Sequence, residues 1–285
     1  KKMTVCQLYA KQIRHRGNVR YNTKNGRKRL MKLLEEDKLG GCPIDSVKLS
    51  DAKEWAIRMK EKGISYKTIS NDKRSLKAAF YTAIQDDCIR KNPFDFQLNT
   101  VIEDDTEPKV PLTPAQEESF LSFAQNDKVY QKYYDELIIL LGTGLRISEL
   151  CRLTDTDINF ENRIINVDHQ LLRSAETGYY IETPKTKSGI RQIPMSEKVY
   201  EAFNRVLKRR RGAKAVTIDG YSNFLFLNRD GYPKTATNYD GMFRGLAKKY
   251  NKYHEEALPK VMTPHTLRHT FCTNMANAGM NPKAL

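Results

Sequence analysis

Apolar residues recur at helical spacing through roughly the first ninety positions, with cations between them. Val5, Leu8, Tyr9 and Ile13 form one stripe behind Thr4, a residue suited to capping a helix. Leu30, Met31, Leu33 and Leu34 form a second. Ser50 is placed to cap a third, with Trp55, Ala56 and Met59 inward. Thr68 to Ile84 is the longest. It sets Ile69, Leu76, Phe80, Ala83 and Ile84 on one side and Lys67, Lys73, Arg74 and Lys77 largely on others. Four such helices predict a small bundle over residues 1–98. Asn92-Pro93 should end it. An extended linker over 99–112 follows, carrying Glu103-Asp104-Asp105 and several prolines.

From residue 113 to 285 the pattern is mixed. Thr113-Pro114-Ala115-Gln116 combines a cap, a first-turn Pro and a Gln three residues on. Leu137 to Leu141 is an apolar helical run stopped by Gly142-Thr143-Gly144. Arg163 to Val167 reads as a strand. Tyr179 to Thr183 and Arg191 to Pro194 read as the two arms of a hairpin tipped by residues 184–190. Ser196 caps a helix through Tyr200, Phe203, Val206 and Leu207, ending in the basic run Lys208–Arg211. Phe224 to Leu227 predicts a short strand, and Thr237 to Tyr250 a basic helix. The expected fold is therefore mainly α with a small β-sheet.

Lys and Arg number 49 against 34 Asp and Glu, a formal charge of +15. That imbalance points to a polyanion, nucleic acid before membrane. No run approaches a membrane span and no apolar leader follows Lys1. The five cysteines are scattered, with no metal-ligand spacing, so no metal is expected and free thiols in a reducing cytosol are.

The chain is organised around Met262-Thr263-Pro264-His265-Thr266-Leu267-Arg268-His269-Thr270-Phe271. Thr263 is suited to cap a helix through its hydroxyl, and Pro264 to open it. His265 and Arg268 are three apart and share one face near the positive helix end, an arrangement that suits a phosphate. Alone, such a pair is ordinarily a solvated face. Upstream, however, lies Gly142-Thr143-Gly144-Leu145-Arg146-Ile147-Ser148-Glu149-Leu150.

A T-G-L-R-x-S-E-L box followed at long range by H-x-L-R-H-T resembles the tyrosine recombinases, the phage-integrase family. The resemblance runs from about Thr4 to the end. It implies an N-terminal four-helix core-binding (SAM-like) domain and an α+β catalytic domain, forming a C-shaped clamp on duplex DNA. It also implies strand transfer through a 3′-phosphotyrosine, with no cofactor. Arg146 and Arg268 would neutralise the pentacoordinate phosphate, although Arg146 could instead merely pair with Glu149. His265 would bond the phosphate or assist proton transfer, with His269 in support. A hairpin lysine would protonate the leaving 5′-oxygen. Lys185 takes that position, and Lys187 is the alternative that would otherwise reach DNA.

Further DNA contacts are expected at Arg191, Lys67, Lys73, Arg74, Lys77, Arg173, Lys234, Arg244 and the Lys208–Arg211 run. Arg191 could equally brace backbone. The P-K-T-K-S-G-I-R-Q-I-P segment looks most like the integrases of conjugative transposons. The resemblance implies a homo-oligomer on DNA, a tetramer in synapsis, with a directionality factor as a further partner. It also implies a bacterial cytoplasmic, nucleoid-associated protein. No tyrosine stands in the nucleophile's context. Tyr239, Tyr250 and Tyr253 precede the His265 box and read as packing or DNA-contact residues, so the nucleophile is expected beyond Leu285. A DNA-binding protein of the same fold without catalysis and a type IB topoisomerase are the rival readings.

Overall fold

The computed structural model describes residues 2–17, 19–184, 186–210 and 216–281, and the chain divides into two compact units, residues 1–107 and 108–285. The first unit holds α1 (Val5–His15), α2 (Tyr21–Glu35), α3 (Leu49–Glu61) and α4 (Tyr66–Gln85). Thr4 caps α1 as its sequence suggests, accepting from the Gln7 amide. The third helix starts earlier than Ser50 predicts. Asp51 accepts the Lys48 amide at 2.8 Å, so Lys48 becomes the N-cap and Ser50 falls in the first turn.

Each helix turns its apolar stripe inward, and Trp55, Met59, Ile69, Leu76 and Phe80 are fully buried. Phe94 closes this core, 5.7 Å edge-on to Trp55 and 5.4 Å from Phe80. Asn92 brings it there. Its amide donates to the Lys77 carbonyl at 2.8 Å while its side-chain oxygen accepts the Phe94 amide. Leu98 and Ile102 still belong to this core. None of the described helices is long and apolar enough to cross a membrane.

The second unit holds α5 (Pro114–Asn126), α6 (Tyr134–Thr143), α7 (Ile147–Arg152), α8 (Glu197–Arg210), α9 (Ala236–Tyr253) and α10 (Pro264–Asn277). Two small antiparallel sheets accompany them. One has the order β1 (Ile158–Asn159), β2 (Ile164–Val167), β5 (Arg191–Pro194), and the other pairs β3 (Gln170–Ser174) with β4 (Gly178–Glu182).

The hairpin expected between the Tyr179 and Arg191 segments does not form. β4 pairs with β3, Ser174 facing Gly178, whereas β5 pairs with β2, Val167 facing Arg191. Only residues 175–177 separate β3 from β4. Ser174 accepts the Thr177 amide at 2.9 Å and Gly178 turns with φ +70°, so the nearer partner closes at the lower entropy cost. Residues 184–190 therefore connect two sheets.

Phe224 to Phe226 are buried and Leu227 half-buried, but the run forms no strand. Phe224 makes a single bridge to Thr154 and Leu227 one to Pro233. Tyr239 and Tyr250 are core residues, while Tyr253 is exposed.

Candidate phosphate site between the two arginine boxes

The first box is an α6–α7 junction. α6 buries Leu137 to Leu141 and ends at Gly144, whose φ of +61° turns the chain out of the helix. A Cβ at Gly144 would lie 2.3 Å from the Phe271 ring of α10, so the two boxes meet here without room for a side chain. Leu145 is buried, and Arg146 follows as the N-cap of α7.

Arg146 does pair with Glu149, Nη1 to Oε1 at 2.8 Å, yet its side chain stays 53% exposed. The bridge thus aims a guanidinium outward without covering it. Glu149 is only 3% exposed and also accepts the Arg146 amide at 2.9 Å. A third partner arrives from β5. Arg191 meets both oxygens of Glu149, at 3.1 and 2.8 Å, and donates to the Gly189 carbonyl at 3.2 Å. Burial pushes the Glu149 carboxyl up, but the bonds from Arg191 and the Arg146 amide outweigh it and hold the group below its ordinary value. Glu149 is a charged carboxylate at neutral pH.

The second box is the start of α10. Thr263 is its N-cap and Pro264 its first residue, as the sequence predicts. The capping bond runs the other way, however, with the Thr263 amide donating to the Thr266 hydroxyl at 3.1 Å. Leu267 is buried. Thr270 is fully buried and accepts the Leu112 amide at 2.9 Å, tying α10 to the chain entering this unit. Asn274 donates to Glu117 of α5 at 3.0 Å.

Arg268 reaches back across the junction and donates to the Gly144 carbonyl. Burial, then the charge of Arg146, lowers its pKa from the usual arginine value, yet it remains a cation at neutral pH. His265 is exposed at the surface of the same turn, its ring 4.6 Å from that of His269 in an edge arrangement. Partial burial depresses its pKa first, and the charges of Lys109, His269, Arg268 and Arg146 depress it further. A neutral imidazole results, offering one donor and one acceptor beside two guanidiniums. The fold thus gathers Arg146, His265 and Arg268, and the charge of Lys109 is felt at His265.

A cavity of about 370 Å³ opens beside Arg146, lined by Glu149, Gln170, Pro184, Thr186 and Gly189. The segment expected to bear the proton donor thus borders the arginine site. Lys185 itself lies outside the described residues, and Lys187 begins a short 3₁₀ turn, Lys187–Gly189. Ser148 donates to Gln170 at 3.1 Å, steadying that wall. Glu149, Gln170 and Thr270 were not singled out as site residues. The buried acid three residues after Arg146 was the available signal for the first.

The expected DNA contacts divide. Lys67, Arg74, Arg173 and Arg244 are exposed. Lys73 sits 4.5 Å over the Phe96 ring, and Lys77 pairs with Asp95 at 2.5 Å. Lys234 is a correction. Its side chain is 13% exposed and bound to the buried Glu136 at 2.5 Å, beneath the rings of Tyr133 and Tyr239. Its charge neutralises an interior acid and is not presented at the surface. The basic run is also partly internal. Arg209 joins Arg205 on the buried Asp135, and Arg210 donates to the Phe224 carbonyl, while Arg211 lies outside the described residues.

The chain is 67% identical over 285 residues to the transposase from transposon Tn916 of Enterococcus faecalis, covering 100% of this chain and 70% of that protein. Among solved structures it resembles the Tn1549 transposon integrase in complex with a circular intermediate DNA. There the identity is 76%, the TM-score 0.95, and the match covers 99% of this chain and 90% of that one. A complex of the same integrase with transposon right end DNA matches at 76% identity and TM-score 0.93, over 99% and 89% of the two chains. Residues 111–285, which contain both arginine boxes, match the phage integrase family, and the chain belongs to that family.

Proposed function

We propose that this protein is the site-specific recombinase of a conjugative transposon, cutting and rejoining DNA to excise and integrate the element. One observation carries the reading. Arg268 is bound to the carbonyl two residues before Arg146, so two cations remote in sequence serve one site. Close cations repel each other, and a fold that holds them together is built for an anion. The DNA complexes of the Tn1549 integrase support duplex DNA as that anion.

In this reading a tyrosine hydroxyl attacks the phosphorus of a DNA phosphodiester. The P–O bond to the 5′-oxygen breaks, a 3′-phosphotyrosine forms, and a second 5′-hydroxyl later reverses the step. Arg146 and Arg268 neutralise the non-bridging oxygens as charge builds in the pentacoordinate state. His265, neutral before DNA arrives, donates one hydrogen bond there or accepts the tyrosine proton. A lysine of the 184–190 segment, Lys185 before Lys187, protonates the departing 5′-oxygen. Lys67, Arg74, Arg173 and Arg244 contact phosphates and position the duplex. The working form is an oligomer on DNA, with a directionality factor biasing excision against integration.

Suicide duplexes nicked beside the cleavage site test this in the recombinase carrying its tyrosine. A covalent adduct should form only at the element's own junctions. Arg146→Ala or Arg268→Ala should slow it about 10²–10³-fold, roughly 3–4 kcal/mol of transition-state stabilisation, while duplex binding survives. Adducts at any duplex would mean a topoisomerase, and none at all a silent DNA-binding protein.

A further inference from the structure

We infer that Arg191 is a positioning residue that fastens the lysine-bearing segment beside Arg146 through Glu149. The inference rests on the strand-transfer reading above and extends it to a residue expected from sequence to touch DNA. Arg191 is poorly placed for that task. Its side chain is 25% exposed, and both terminal nitrogens are engaged by Glu149. The pair is a fork on a carboxylate, buried on the acid's side, which is the geometry that fixes direction as well as distance.

The fork joins three pieces of chain. Glu149 belongs to α7 and holds Arg146 by side chain and amide. Arg191 opens β5, where it faces Val167 of β2. Its Nη1 also donates to Gly189, the last residue of the 3₁₀ turn that Lys187 begins. The turn is compact in itself. Gly189 donates to the Thr186 carbonyl at 2.9 Å, and a Cβ at Gly189 would lie 2.3 Å from Pro184 Cβ. Residues 186–189 thus form one closed turn. Of its connections to α7, the Arg191–Glu149 fork is a side-chain bond that a point change can remove.

Losing the fork has unequal effects on the two functions Glu149 joins. Arg146 keeps its own bonds to Glu149. The 184–190 segment loses its tie to that carboxylate, so the proton donor suffers first. Arg191→Ala should therefore imitate loss of the lysine and not loss of Arg146.

The experiment compares single-turnover cleavage of an ordinary duplex with that of a duplex bearing sulfur at the 5′-bridging position, whose leaving group needs no proton. The recombinase carrying its tyrosine is used throughout. Arg191→Ala should cleave the ordinary duplex about a hundredfold slower and the sulfur duplex within about threefold of the parent. Combining it with Lys185→Ala, or with Lys187→Ala if that lysine proves the donor, should add little. Arg191→Lys keeps the charge without the fork and guards against misfolding. It should show the same selective rescue at a smaller loss. Equal losses on both duplexes, or losses that multiply with the lysine change, would overturn the inference. So would a salt slope of binding lowered by about 0.9, the mark of a phosphate ligand. Failure of the strand-transfer reading has another signature, in which the parent forms no adduct on either duplex.

Discussion

In the first unit the core is apolar, and its buried acids Asp37 and Asp72 are paired with Arg58 and Arg29. Trp55, Phe80 and Phe94 meet ring against ring, and the stripes of four helices supply the remainder. In the second unit the core is equally apolar, but the residues around Arg146 are held by buried polar groups reaching far along the chain. Glu149 takes Arg191 from 42 residues away, Thr270 takes the Leu112 amide from 158, and the Gly144 carbonyl takes Arg268 from 124. Burial of apolar area does not specify direction, whereas a hydrogen bond does. A helical bundle can be assembled largely by the first kind of contact. A junction that holds Arg146 and Arg268 together needs the second.

Acid should separate the two kinds most sharply. Phe80→Ala removes a fully buried ring and should cost about 3–5 kcal/mol. That loss should be indifferent to pH. Glu149→Gln should cost about 3 kcal/mol at neutral pH, because it uncouples a buried charge from its partners. Here the sign follows from the lowered folded pKa. The native state holds the carboxylate more tightly than the unfolded chain does, so the stabilisation is present above the ordinary value of 4.5. It is lost as pH falls through the lower folded value. Denaturation curves of parent and Glu149→Gln should therefore converge in acid, while those of parent and Phe80→Ala stay apart. A gap for Glu149→Gln that stays constant as the pH is taken down through and below the ordinary carboxylate range would remove the electrostatic account.

Gly144→Ala is a middle case. The new Cβ meets the Phe271 ring and the backbone keeps its left-handed turn, so about 1–3 kcal/mol of stability should go. Cleavage should fall more than stability does, since the carbonyl that receives Arg268 shifts with it. Thermal melting set against adduct yield checks both. The smallest effect belongs to the exposed cations. Lys67→Gln should leave melting unchanged and lower the salt slope of DNA binding by about 0.9.

Much of this contrast could be read along the chain. The helices of the first unit announce themselves by period, and Thr4 and Thr113 by their capping partners Gln7 and Gln116. Arg146, His265 and Arg268 were legible because their boxes are short and local. Pairings that depend on distant partners were not. β3 has adjacent Leu171 and Leu172 in place of a clean alternation, so its claim on β4 was invisible. Lys234 looks like surface charge until Glu136 is seen buried beneath it, and Arg209, though half exposed, is tied to the buried Asp135. Arg191 reads as a brace for backbone or phosphate, and nothing near it in sequence points to Glu149 as its partner.

The bond from Arg268 to Gly144 also sets an order in time. During synthesis the acceptor leaves the ribosome 124 residues ahead of its donor. At ordinary translation speeds of about 5–20 residues per second, that is a wait of roughly 6–25 s. Throughout it, a nascent molecule possesses one arginine of the pair and no second, so the junction between the two boxes closes only after residue 268 has emerged.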